Sequence, residues 1–264
     1  MAMKSFLLKM AAVFVAAQAV TSCIIQQNPE LVAAWDELAR LKNEQNRQVL
    51  TLTPYEHFVS RNNYPTTMLI FKHPELMAKA NKYSRVVICL SQQRGRLYVG
   101  NEVAADWPVS TGIPGRETPV GNYTVLEKKE DYCSNRYGKM YNESGKCINS
   151  DADIFTQQVP EGGKFVGSPM PYWMRLTWDG VGMHIGKVSA GKRLSHGCIR
   201  TPREMAIDLY KTVGFGTKVA VIDKVEAWYP AKNAMARVQA NTAREKRIKE
   251  LEKKIAELTP KKTR

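Results

Sequence analysis

From Arg85 onward the chain is built of short apolar runs cut apart by turn residues, and that rhythm admits few folds. Residues 86–91 are apolar, Gln92-Gln93-Arg94-Gly95 reads as a turn, residues 96–100 begin a second run and residues 102–110 a third. Gly112, Pro114, Gly115, Pro119 and Gly121 punctuate a tight loop before residues 123–127. Asp179-Gly180 then lies between the runs 173–178 and 181–185, a signal for a two-residue hairpin, and residues 216–222 supply a last strand. Short runs at this spacing predict a mainly β domain of sandwich or barrel type, with α-helices only at its flanks.

Three flanking helices are expected. Asn28-Pro29-Glu30 offers an N-cap followed by proline at the first helical position, and Leu31, Trp35, Leu38 and Leu41 then share one face. That face is expected to pack on the main domain. Thr201-Pro202-Arg203-Glu204 has the form of a capping box, followed by Met205, Ala206, Leu209, Tyr210 and Val213, with Gly214 as a stop. Near the C-terminus Ile248, Leu251, Ile255 and Leu258 recur among Lys and Glu, which predicts a solvated helix. The organisation read from this is a leader over 1–22, a helical extension over 23–84, the β domain over 85–223 and a basic helical tail over 224–264.

The net charge is +14 over 264 residues, so anionic partners are favoured. Residues 224–264 hold 12 Lys/Arg against 5 Glu, half of that excess. The tail is therefore a candidate for contact with a partner protein or an anionic polymer. No zinc-finger or P-loop spacing and no RNA-binding aromatic signature occurs, so no nucleic acid is expected as a partner. No apolar run reaches the roughly 18 residues of a spanning helix. Lys4 and Lys9 instead flank Phe6-Leu7-Leu8, and a stretch over residues 10–20 follows that is apolar apart from Gln18 and leads into Val20-Thr21-Ser22-Cys23. This is the form of an export signal, and its end resembles a bacterial lipobox in which Cys23 would carry lipid. The expectation is an exported protein on the periplasmic side of a bacterial envelope, held to the membrane through Cys23.

Export permits disulfides. Cys133 and Cys147 lie in one polar segment, residues 132–148, and are expected to close a small loop worth about 3 kcal/mol, with metal ligation as the rival. Cys89, inside Val86-Val87-Ile88-Cys89-Leu90, is expected to be an inert core residue. Cys198 is different. It lies in Ser195-His196-Gly197-Cys198-Ile199-Arg200, and His184 precedes it by 14 residues. A nucleophilic thiol needs a base or a positive field, and a histidine can take its proton and return it to a leaving amine. The N–H groups of Gly197 and Cys198 are candidate oxyanion donors, and Arg200 can pair with a substrate carboxylate. The residues alone leave two alternatives open: a structural Cys beside two structural His, and a zinc site made of His184, His196 and Cys198.

Gly182-Met183-His184-Ile185-Gly186 together with Ser195-His196-Gly197-Cys198-Ile199-Arg200 resembles the signature of the L,D-transpeptidases, the YkuD-type catalytic domain. Ser110-Thr111-Gly112 with Thr118-Pro119-Val120-Gly121, and Met170-Pro171-Tyr172-Trp173-Met174-Arg175-Leu176, extend the resemblance over residues 85–223. It implies a β-sandwich-like catalytic domain, no cofactor and no metal, and peptidoglycan stem peptides as substrate. Cys198 would be the nucleophile, His184 the general base, and the backbone around His196, Gly197 and Cys198 the oxyanion hole. Ser195 and His196 would shape the site, with Ser195 and Arg200 meeting the substrate. Ile185 departs from the small residue that often follows the upstream His, and Ala190-Gly191-Lys192-Arg193-Leu194 departs from a proline-containing loop.

Overall fold

In the computed structural model of the protein, residues 28–49, 52–60, 63–225 and 230–259 are described. The leader and Cys23 lie outside the described residues. The elements run α1 (Pro29–Val49), α2 (Pro54–Val59), β1 (Phe71–Lys72), α3 (Pro74–Lys79), β2 (Arg85–Cys89), β3 (Arg94–Val99) and β4 (Glu102–Pro108). They continue through β5 (Gly121–Thr124), β6 (Glu127–Lys129), β7 (Cys133–Tyr141), β8 (Cys147–Asp153), β9 (Lys164–Pro169), β10 (Trp173–Arg175) and β11 (Gly182–Ile185). Last come β12 (Ile199–Thr201), α4 (Arg203–Thr212), β13 (Lys218–Ile222) and α5 (Pro230–Leu258). Two units separate, one of Pro54–Met235 and one combining Met1–Thr53 with Ala236–Arg264.

The larger unit is mainly β. A six-stranded sheet has the order β1-β4-β3-β2-β13-β5, a four-stranded sheet the order β12-β11-β10-β6, and a three-stranded sheet the order β8-β7-β9. Alternation along β2 sorts Val86 and Ile88 from Val87 and Cys89. Val86, Ile88, Leu97, Trp107 and Val219 join Met174, Met183 and Ile199 of the second sheet, and Met205 and Leu209 of α4, in one core. Burying such side chains contributes roughly 1.5–3 kcal/mol each.

The other face of the large sheet is covered too, by polar chemistry. Val87 stands opposite Arg96 and Arg96 opposite Asp106, so all three share that face. Arg94, Arg96 and Asp106 are fully buried. Arg94 Nε donates to Asp106 Oδ1 at 2.6 Å and Arg96 Nε to Oδ2 at 3.0 Å. The hydroxyls of Tyr55 and Tyr64 donate to Oδ2 at 2.6 and 2.8 Å, and Arg94 also holds the carbonyls of Thr67 and Leu69. Burial alone would raise the Asp106 carboxyl, but the two guanidiniums and two hydroxyls outweigh it and hold it below its usual range. This network ties residues 54–72 to the sheet. The compact unit that holds the β domain therefore begins upstream of Arg85, at Pro54.

In the smaller unit α1 begins as expected, with Asn28 Oδ1 accepting the Leu31 N–H at 3.2 Å. Its apolar face, expected against the β domain, is covered from within its own unit. Leu31, Ala34, Leu38 and Leu41 pack against Ile248, Leu251 and Ile255 of α5. Glu30 pairs with Lys254, Glu37 with Arg247 and Glu44 with Arg244, so the two helices run antiparallel. The tail helix is thus half of a helical pair rather than solvated all round. Trp35, expected on the packed face, is 49% exposed. No described helix is long and apolar enough to cross a membrane.

Three local expectations are also corrected. The capping box does not form: α4 starts after Pro202 with no side-chain cap, because Thr201 pairs with Ile185 in the sheet. Glu204 turns away to Lys72. The Asp179-Gly180 hairpin is wider than two residues, with Thr177 Oγ1 accepting the Val181 N–H at 2.9 Å and Leu176 N–H reaching the Val181 carbonyl. Finally, Cys133 and Cys147 are free and exposed. Tyr141, at the far end of β7 from Cys133, pairs with Cys147. At about 3.3 Å per residue that strand holds the two thiols well beyond the roughly 7 Å Cα limit of a disulfide.

Candidate active site

The site grows from one parallel strand pair. In β11 and β12, Met183 stands beside Ile199 and His184 beside Arg200. Met183 and Ile199 are fully buried and point into the core. Alternation therefore turns Cys198 and Arg200, with Gly182 and His184, to the opposite side. That side opens into a cleft of about 1060 Å³, lined also by residues of β7 and β8, so the three-stranded sheet supplies one wall.

Cys198 is carried on a turn that is braced from several directions. Gly197 has φ +117°, a backbone state that L side chains rarely adopt, which explains glycine there. Ser195 is buried, its hydroxyl donating to the Cys198 carbonyl at 2.5 Å and accepting the Gly197 N–H at 3.2 Å. Thr118 Oγ1 accepts the Gly112 N–H and donates to the Gly197 carbonyl at 2.7 Å. Gly112 has no room for a side chain: a Cβ would lie 2.0 Å from the Arg116 carbonyl oxygen. The Thr111 carbonyl accepts the N–H groups of Leu194 and Ser195, and Gln93 clamps Thr111 from behind. Ser110 and Arg200 exchange backbone hydrogen bonds at 3.1 and 3.0 Å. The Ser110–Gly112 and Thr118–Gly121 stretches thus form a scaffold for the Cys198 turn.

His184 is buried, and its Nδ1 lies 2.8 Å from the Ile185 carbonyl oxygen. A carbonyl can only accept, so Nδ1 carries the proton and Nε2 keeps its lone pair. Burial pushes the imidazole down to about 4, more than the Ile185 carbonyl raises it, and the nearby Arg200 charge adds to the fall. The Cys198 thiol donates to the Gly180 carbonyl at 3.4 Å. Burial raises the thiol above its usual value, opposed by the Gly182 N–H and by the charges of Arg200 and Arg175. Thiol and imidazole both rest neutral, and two guanidiniums stand ready to stabilise a thiolate.

His196 is set apart from this pair. Its ring packs on Tyr137 at 4.6 Å, and Nε2 lies 3.5 Å from Asp151 Oδ1. Among the described residues no group of three His, Cys, Asp or Glu side chains converges to hold a metal. Ser195, expected to meet substrate, has its hydroxyl engaged inside the turn. Gly197, expected as an oxyanion donor, gives its N–H to Ser195 Oγ. The sequence reading missed Arg175, which lines the cleft, donates to Glu127 at 2.6 Å and is 5.5 Å from the Trp173 ring. It also missed the bracing roles of Thr118 and Thr111, whose signal was the Ser-Thr-Gly and Thr-Pro spacing, and of Gln93, which lies 18 residues before Thr111 and carried no local signal.

Residues 83–221, just over half of the chain, match the L,D-transpeptidase catalytic domain family YkuD. A search of curated proteins gives no match. Among solved structures the chain is similar to the L,D-transpeptidase from Mycobacterium smegmatis, 22% identical over 53% of this chain and 58% of that one, with a TM-score of 0.40. It is also similar to an L,D-transpeptidase from Stackebrandtia nassauensis, 19% identical over 57% and 64%, with a TM-score of 0.39. The catalytic domain from the Enterococcus faecium L,D-transpeptidase is 28% identical over 53% and 98%, with a TM-score of 0.39. This chain spans less than two thirds of the length of the first two. The family match takes in His184, the Cys198 turn and the scaffold beneath it, and the chain belongs to the L,D-transpeptidase catalytic domain family.

Proposed function

We propose that the protein is a peptidoglycan L,D-transpeptidase in which Cys198 is the nucleophile and His184 the general base. The observation that carries this is the placement of Cys198, His184 and Arg200 on one face of a parallel strand pair, all three lining a cleft of about 1060 Å³. As the Cys198 sulfur attacks the carbonyl of the third stem residue, its proton passes to His184 Nε2. The C–S bond forms, the C–N bond to the terminal D-Ala breaks, and the proton goes to the departing amine. An amine of a second stem then attacks the thioester. The new amide joins the stems 3→3, the C–S bond breaks, and the amine's proton returns through His184 to sulfur. The Cys198 N–H serves the oxyanion, because that of Gly197 is held by Ser195. Arg200 pairs with a substrate carboxylate. With water as acceptor the same site is an L,D-carboxypeptidase.

Muropeptide mass spectrometry tests this. Wild type and Cys198→Ala are incubated with disaccharide-tetrapeptides. Dimers joined 3→3 that require Cys198 establish transpeptidation, and tripeptide monomers alone establish carboxypeptidase activity. No change with a reduced thiol rejects both. The same reading has the chain exported and held to the membrane through lipid on Cys23, supported by Lys4, Lys9 and the apolar stretch that ends at Cys23. Failure of a lipid label to depend on Cys23 would refute the anchor.

A further inference from the structure

Trp178 is a large apolar side chain placed where a folding argument gives it no reason to be. It is 77% exposed, although it sits on the turn between β10 and β11 that approaches the nucleophile. Two residues on, the Gly180 carbonyl accepts from Cys198 Sγ at 3.4 Å. Trp178, Asp179 and Gly180 all line the same cleft as Cys198. The turn is held in shape from below by Thr177, whose hydroxyl accepts the Val181 N–H at 2.9 Å and whose carbonyl accepts from Gly180. The indole is also positioned: the Arg175 guanidinium lies 5.7 Å from the ring centroid, and Arg175 is itself fixed by Glu127 and by Tyr132. One side of the ring therefore faces a fixed cation, while most of its surface remains open to the cleft.

An open indole beside an exposed carboxylate matches the chemistry of a pyranose. The axial C–H bonds of a sugar lie flat on an aromatic face, and a carboxylate accepts from ring hydroxyls or an acetamido N–H. Reach agrees. At most about 7 Å of chain separates Trp178 from Gly180. In a wall stem, three residues of peptide, roughly 10 Å when extended, separate the attacked carbonyl from the amino sugar that carries the stem.

We propose that Trp178 and Asp179 form a subsite for the N-acetylated amino sugar to which the stem peptide is attached. This rests on the peptidoglycan reading and names which part of the substrate the turn recognises. The subsite makes the enzyme prefer stems still joined to glycan over free peptides.

The test compares two soluble substrates, a disaccharide-tetrapeptide and the free tetrapeptide, with the full chain. Trp178→Ala is expected to raise KM for the first about fivefold or more and to leave the second unchanged, with kcat little altered for either. Trp178→Phe should restore most of the difference. Equal loss on both substrates would mean that the indole contacts peptide, and no loss on either would mean that it contacts nothing; each overturns the subsite. A second readout does not depend on turnover. Titration of Cys198→Ala with an N-acetylglucosamine oligomer should perturb the Trp178 indole N–H resonance, assigned by its absence in Cys198→Ala/Trp178→Phe. If wild type turns over neither substrate, the reaction fails while this titration still decides the subsite, and an unperturbed indole would overturn it.

Discussion

The buried imidazole of His184 makes the stability of this protein depend on pH in a calculable way. In the unfolded chain a histidine takes a proton near 6.5, whereas in the fold burial holds His184 near 4. Between those values the unfolded chain binds a proton that the folded one refuses, so stability is present above 6.5 and falls as pH falls towards 4. Linkage between the two values gives a loss of about 2 kcal/mol from pH 7 to pH 5 and about 3 kcal/mol by pH 4. The residue is 5% exposed, so solvent does little to screen this. The measurement is urea unfolding of wild type and His184→Asn across that range. Asparagine can keep the hydrogen bond to the Ile185 carbonyl but does not titrate. Carboxylates and His196 titrate in both proteins and drop out of the difference. Wild type should lose about 3 kcal/mol more than the variant between pH 7 and pH 4. Parallel curves would refute the assignment of a buried neutral imidazole.

Two further outcomes follow from the bracing contacts. Asp106→Ala leaves Arg94 and Arg96 buried without their shared carboxylate, and should destabilise the larger unit by about 3–5 kcal/mol in denaturant melts. Loss under 1 kcal/mol would mean that the network does not hold residues 54–72. Thr118→Val removes the donor to the Gly197 carbonyl and the acceptor for the Gly112 N–H, at about 1–3 kcal/mol. Its kcat should fall with KM nearly constant, because the turn that aims Cys198 is loosened while the cleft walls remain. A rise in KM alone would place Thr118 against substrate instead.

Much of the large sheet was legible because β2 and β4 are apolar runs bounded by turn residues. What escaped was structure whose stabilising partner is distant in sequence. Arg94 read as part of a turn, yet it opens β3 and alternates with Arg96 on a face closed by Asp106 from the next strand. An Arg-x-Arg run opposite an Asp was the available signal, but nothing local shows that Tyr55 and Tyr64 complete it. The β7–β9 sheet escaped for the opposite reason: most of its side chains are exposed or half-buried, so no apolar alternation marks it. At Thr201 a sound local signature lost to pairing with Ile185, which left a buried hydroxyl without a hydrogen-bond partner.

The site shows the same division between identity and environment. The motifs named Cys198 and His184, but a motif does not reveal protonation. Burial decides that, and it drives the two groups apart: the thiol up, the imidazole down to about 4. A resting thiolate–imidazolium pair is therefore disfavoured. In the proposed mechanism the nucleophile forms as the proton moves during attack, when the developing oxyanion and the charges of Arg200 and Arg175 share the cost of ionisation. A resting thiol of this kind should react slowly with a generic alkylating reagent and quickly with an electrophile that fills the cleft. Chemistry held back until a carbonyl is in place suits the acyl transfer to an amine proposed above.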